Sequence, residues 1–235
     1  MAGGISGEIK GKMQSGSLPA SFGNGGGAVL PPNRAQKISR TTLYAGMTWL
    51  TVIVASTFLM LGYANSPGTA GSPPVNWPDS SSVSHATKHP TLVMFIHPRC
   101  PCSRASIGEL AELMAHCQGQ VNAHVFFLKP AGMPEAWAQT DTWREAAAIP
   151  GVTVHRDDSG REARLFNVET SGDLVLYDAK GQLTFHGGIT ASRGHFGDNA
   201  GESAVQALLL TRAAQTKHTP VFGCSLFNCP SQTAH

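Results

Sequence analysis

Hydrophobic and polar positions fall into distinct regimes along the chain. From Thr41 to Ala64, "TTLYAGMTWLTVIVASTFLMLGYA" is apolar and carries no charge. About 20 such residues cross a bilayer core as a helix, so the run predicts a transmembrane helix over residues 41–64. Tyr44, Trp49 and Tyr63 lie towards its ends, where interfacial aromatics gather. Beyond residue 90 the pattern changes to short apolar runs between amphipathic stretches. "TLVMFI" (Thr91–Ile96) reads as a strand buried on both faces. Ile107, Leu110, Met114 and Cys117 recur at helical spacing and predict a helix over Ser103–Gln118, with Ser106 and Glu109 as a capping box one turn later. A second strand is expected at Val121–Leu128, a helix at Glu135–Ala148 ahead of Pro150, and a third strand in "GVTVHRD". Ser159 and Glu162 suggest a capping box for a short helix through Phe166. "DLVLYDAKGQLTFHGG" reads as a hairpin turning at Lys180 and Gly181, followed by a helix over Glu202–Gln215 and an irregular, cysteine-containing tail. Strands alternating with helices predict an α/β domain, its mostly parallel central sheet flanked by helices and extended by an antiparallel edge hairpin.

Composition divides the chain further. Residues 1–40 are rich in Gly and Ser and bury too little apolar surface to order themselves, so a disordered tail is expected. Its charges are Lys10, Lys12, Arg34, Lys37 and Arg40 against Glu8, which places the tail in the cytoplasm by the positive-inside rule. A cleaved signal peptide fits less well, because the basic region is long and no A-x-A site follows the apolar run. Residues 65–89 are rich in Pro, Ser and Gly and read as a flexible linker. Residues 90–235 then form the folded domain outside the cytoplasm. In a bacterium that is the periplasm, with the chain held in the inner membrane by a single pass. The net charge is +2, from 17 basic and 15 acidic residues, and offers no footprint for nucleic acid. No H-x-x-x-H pair falls on an expected helix, and no G-x-x-x-x-G-K-[ST] loop or G-x-S-x-G elbow occurs, which sets aside zinc hydrolase, nucleotide and serine-hydrolase chemistry.

All five cysteines fall in residues 90–235, where disulfides persist if the domain is extracytoplasmic. Cys100 and Cys102 lie in "HPRCPCSR", between the first strand and the first helix, beyond the carboxyl end of a strand where open α/β sheets place reactive groups. A cysteine at a helix N-terminus faces unsatisfied N–H groups that favour thiolate, and Arg99 and Arg104 add positive charge. His97 is close enough in sequence to assist or to titrate. Cys100 is therefore a candidate attacking thiol. A C-x-C disulfide closes a small, strained ring, and two thiolates one residue apart also suit Cu(I), with His186 or His195 completing the site. Cys224 and Cys229 pin the tail by pairing with each other, or Cys224 reaches the active site. Cys117, on the apolar face of its helix, is expected to be inert core. In the Gly-rich loop "GGITASRGHFGDNAG", Arg193, His195, Asp198 and Asn199 are candidates for function, and Asp198 or Asn199 for an N-cap.

The strand–loop–Cys–helix arrangement and "YDAKGQLTFHGG" resemble the thioredoxin-like superfamily. "HPRCPCSRAS", "TSGDLVLYDAKGQLTFHGGITASRGHFGDNAG" and "PVFGCSLF" are similar to the bacterial membrane-anchored RedB-type proteins. The resemblance spans roughly residues 90–228 and favours Cys224, inside "VFGC", over Cys229. Two departures from ordinary thioredoxins stand out. Ser103 occupies the place of the second active-site cysteine, and Gly172 or a neighbour replaces the usual cis-proline. The function this implies is membrane-tethered thiol–disulfide exchange with no cofactor, Cys100 attacking and Cys102 or Cys224 resolving, on a protein thiol or disulfide near the membrane. The alternative is a copper-binding module or metallochaperone for a respiratory enzyme, with Cys100, Cys102 and His195 as ligands. A thiol peroxidase and an inert interaction domain are lesser rivals.

Overall fold

A computed structural model describes residues 39–211, 213–214 and 216–227. The expected disordered tail lies outside these residues except at its end, as does Cys229. Helix α1 (Arg40–Ala64) is 25 residues long and carries no charge after Arg40, so it is long and apolar enough to cross a membrane.

The remaining elements are β1 (Thr91–Ile96), α2 (Ser103–His116), β2 (Asn122–Lys129), a 3-10 turn (Glu135–Trp137), α3 (Asp141–Ala147), β3 (Val152–Asp158), α4 (Arg161–Leu165), β4 (Asp173–Tyr177), β5 (Leu183–Gly187), α5 (Ala200–Leu210) and β6 (His218–Thr219). The helix expected over Glu135–Ala148 is split, with Thr140 in extended conformation before α3. The sheet order is β3-β2-β1-β4-β5-β6. Strands β1, β2 and β3 run parallel, and β4 pairs antiparallel with both β1 and β5. This is a thioredoxin-like central sheet flanked by helices. The hairpin does not lie wholly at the edge as expected. Strand β4 enters the sheet beside β1, and β6, drawn from the tail read as irregular, pairs parallel to β5 and takes the edge.

Strand β1 is buried at every position, as its continuous apolar run requires, because both sheet faces are covered. On one face, Leu92, Met94 and Ile96 pack with Leu110 and Leu113 of α2, Cys117 just after it, and Val205 of α5. On the other, Val93, Phe95 and Phe126 pack with Phe166, Tyr177 and Trp77. The N-terminus of α4 is capped by Asp157, whose carboxylate accepts from the N–H groups of Glu162 (2.8 Å) and Ala163 (3.0 Å). The capping box expected from Ser159 and Glu162 does not form. Ser159 has φ 60, and the Glu162 carboxylate instead accepts from Ser81 and Ser82. The stretch read as a linker thus carries contacts that a solvated spacer lacks. The Trp77 ring packs edge-on against Phe166 and Tyr177 at 5.2 Å, the Trp77 backbone N–H donates to the Gly181 carbonyl, and the Ser72 backbone N–H donates to that of Asn167.

At the start of β4, Asp173 is 1% exposed, and among the described residues neither carboxyl oxygen has a hydrogen-bond partner. Burial pushes this carboxyl up from 3.8 to about 7, only partly offset by the nearby N–H groups of Leu174 and Gly187. The folded chain therefore holds a proton that the unfolded chain has released. The resulting stability is present below the unfolded value and is lost as pH rises through the folded one.

Two outcomes follow. Trp77→Ala, by emptying an aromatic site, should cost about 3–5 kcal/mol in urea unfolding of the full chain; a loss under about 1 kcal/mol would show that the segment is not part of the fold. Asp173→Asn should match the wild type near pH 3.5, already exceed it near pH 5, and exceed it near pH 8 by a few kcal/mol, on the order of the shift in the carboxyl, as measured by unfolding at the three pH values.

Candidate functional site

The site is built where β1 gives way to α2. After Ile96 the chain turns on two bonds, Cys100 N–H to the His97 carbonyl (3.0 Å) and Ser103 N–H to the Cys100 carbonyl (3.1 Å). Cys102 follows in helical conformation just ahead of α2 and makes no side-chain cap. Ser103 is buried, with its Oγ 2.9 Å from Ser171 Oγ and 3.2 Å from the His97 carbonyl. Ser171 Oγ also accepts from His97 N–H at 2.8 Å. These hydroxyls tie the cysteine turn to the segment entering β4. There Gly172 has φ 90, a region closed to most side chains, and a Cβ would meet Ser106 Oγ at 2.8 Å. No cis peptide occurs among the described residues, in keeping with the missing cis-proline.

The third component arrives from the far end of the chain. Thr170 and Ser225 form an antiparallel bridge. Ser171 N–H donates to the Cys224 carbonyl and Leu226 N–H to the Glu169 carbonyl, each at 2.8 Å. Gly223 lies so close that a Cβ would stand 1.9 Å from the Ser171 carbonyl oxygen. This arm brings Cys224 Sγ to 2.9 Å from Cys100 Sγ, within about 1 Å of disulfide bonding distance.

Burial pushes the Cys100 thiol up, but hydrogen bonding to the Cys224 side chain, the N–H groups of Cys224 and Cys102 and the Ser103 hydroxyl outweighs it, and the group sits below its ordinary value. Cys102 moves the other way, raised by burial and by the adjacent Cys100 charge and partly relieved by the Arg193 guanidinium. The two thiols are therefore set apart, with Cys100 the readier to ionise. The arginines expected to supply the positive field are engaged elsewhere. Arg104 pairs with Glu145, and Arg99 lies over the Trp137 ring at 5.0 Å. Burial, and then Arg99, lower His97, whose Nδ1 accepts from Arg99 N–H, so it stays neutral and adds no charge. Cys100 is 3% exposed and opens onto a cavity of about 230 Å³ lined by Pro98, Pro101, Arg104 and Thr142.

Of the residues singled out from sequence, Cys100, Cys102 and Cys224 lie in one place. Cys117 is fully buried among Leu113, Met114 and Val205, where burial raises its thiol. His195 is exposed, and the His186 ring lies tilted against that of His218 at 4.3 Å on the edge pair β5–β6. Among the described residues, no three ligand atoms including Cys100 or Cys102 lie within 4.8 Å of one another; the trio that does is Glu109, Glu112 and Glu202. The cysteine–histidine set for Cu(I) is thus not assembled. Ser171 and the contact of Arg193 with the arm were not visible in the sequence pattern, since both depend on segments far apart in the chain.

No family model matches the chain, and no curated protein matches it. Among solved structures, a hypothetical protein of Sinorhizobium meliloti is 22% identical, with a TM-score of 0.51 over 69% of this chain and 94% of that one. An uncharacterised conserved protein of Geobacillus kaustophilus is 21% identical, with a TM-score of 0.50 over 71% and 94%. A secreted disulfide oxidoreductase of Mycobacterium tuberculosis aligns less closely, at 16% identity and a TM-score of 0.39 over 52% and 81%. At these identities the likeness establishes the fold alone.

Gly223→Ala should force the arm off Ser171 and part the two sulfurs. The rate of Cys100–Cys224 bond formation under mild oxidant, followed by peptide mass mapping, should fall about tenfold or more, the effect of about 1.4 kcal/mol. An unchanged rate would show that the arm is not held by this contact.

Proposed function

We propose that the chain is a membrane-tethered thiol–disulfide oxidoreductase in which Cys100 and Cys224 form the redox pair. The observation that supports this reading is their 2.9 Å separation, with Cys224 next to the bridge that pairs Ser225 with Thr170. The Cys100 thiolate attacks one sulfur of a substrate disulfide and forms a mixed disulfide, while the other substrate sulfur leaves as thiolate and takes up a proton. Cys224, giving up its proton, then attacks Cys100 Sγ. This forms the Cys100–Cys224 bond and expels the second substrate sulfur, which is protonated in turn. Two electrons pass from the cysteine pair to the substrate. In reverse, the same exchange oxidises a substrate dithiol. Ser103 fills the place of a second thiol beside the helix, so resolution falls to the arm.

In this reading α1 anchors the chain by a single pass, residues 1–40 face the cytoplasm, and residues 65–89 and 90–235 lie in the periplasm. The tether raises the effective concentration of the site near membrane-borne partners. The likeness of three motifs to RedB-type proteins belongs to the same proposal.

Cysteine variants test it, with reduction of a protein disulfide as the readout. Cys100→Ser should abolish exchange. Cys224→Ser should complete the first step and accumulate a mixed disulfide on Cys100, visible by mass. Cys117→Ser should leave the rate unchanged. Full exchange by the Cys224→Ser chain would overturn the assignment of the pair, and activity in Cys100→Ser would overturn the reading itself.

A further inference from the structure

The loop between β5 and α5 places one guanidinium against three separate parts of the site. Arg193 Nη1 donates to the Gly223 carbonyl at 2.5 Å, and Nε donates to the Ser66 carbonyl at 3.1 Å. The Gly223 carbonyl belongs to the peptide unit that joins Gly223 to Cys224, so the first bond acts directly on the orientation of the arm. The same guanidinium is the group whose charge and hydrogen bonding favour the Cys102 thiolate.

We propose that Arg193 is the positioning residue of the thiol site: it clasps the arm that sets Cys224 on Cys100, and it serves as the counter-ion of Cys102. This rests on the thiol–disulfide reading above and extends it. The guanidinium does not touch the reacting Cys100–Cys224 bond; it acts through Gly223 and Cys102. The planar fork is needed because two carbonyls in different directions and a sulfur share one cation, which a lysine ammonium on its flexible stem does not reproduce.

The two roles become active in different redox states. While the pair is reduced, the Cys100 charge opposes ionisation of Cys102. When Cys100 is bonded to Cys224 that charge is gone; burial still opposes ionisation of Cys102, and Arg193 remains the group that favours its thiolate.

The test compares wild type, Arg193→Gln and Arg193→Lys as full chains in detergent, each equilibrated with reduced and oxidised glutathione. One readout is the equilibrium constant for the Cys100–Cys224 bond. The other is the pH profile of Cys102 alkylation in the oxidised chain, mapped by mass. In Arg193→Gln the equilibrium constant should fall about tenfold and the alkylation profile should move to higher pH. In Arg193→Lys the profile should stay near wild type while the equilibrium constant still falls, separating charge from clasp. The inference is overturned if Arg193→Gln leaves both readouts unchanged, if Arg193→Lys restores both, or if both variants lose the fold, in which case the residue is structural. A wild-type chain that forms no Cys100–Cys224 bond at any glutathione ratio would instead overturn the thiol–disulfide reading on which this one rests.

Discussion

The site hangs on one short stretch of backbone pairing, the bridge between Thr170 and Ser225 with the bonds on either side of it. Cys100 is placed by local turns, but Cys224 has its position because the arm lies along residues 169–171. Each such hydrogen bond has a net worth of about 0.5–1.5 kcal/mol, so the pairing is held by only a few kcal/mol. That is enough to keep the sulfurs together for most of the time and little enough for the arm to lift without global unfolding. On the proposed reading, lifting of the arm would expose a nearly covered Cys100 further.

The surroundings of that bridge are built for rigidity. The hydroxyls of Ser103 and Ser171 lock the cysteine turn to the strand entry, and Gly172 permits an approach that a Cβ would block. Glu109, from the middle of α2, accepts from Gly197 N–H and Asn199 Nδ2, and Asn199 in turn caps α5 through Glu202 N–H at 2.7 Å. The helix that begins at the thiols, the loop that carries Arg193 and the last helix are thus joined through one buried carboxylate. Burial raises Glu109, and the Gly197 N–H opposes that rise.

The sequence made the elements legible where periodicity was strong. The uninterrupted apolar run of β1, the helical spacing of Ile107, Leu110 and Met114, and the Lys180–Gly181 turn all correspond to what formed. It was less informative where a side chain served a distant partner. Glu162 looked like a capping residue by spacing, but Asp157 took the cap and left Glu162 to bind Ser81 and Ser82. The Pro- and Ser-rich composition of residues 65–89 suggested a solvated spacer, yet one tryptophan was enough to lay part of it on the sheet. Cys224 stood out through its motif, but its proximity to Cys100 is a property of the fold and has no counterpart in local pattern. The same holds for the copper set, in which His195 makes no ligand trio with the cysteines among the described residues.

The two sulfurs belong to residues 124 apart in the chain. A covalent link between them would close a loop containing every element from α2 to β6. In the chain-entropy picture, a loop of that size narrows the denatured ensemble by on the order of 4–5 kcal/mol. Oxidation would then do more than store two electrons: it would harden the domain against heat and proteases, and by the same thermodynamic cycle any weakening of the fold would make the pair a stronger oxidant.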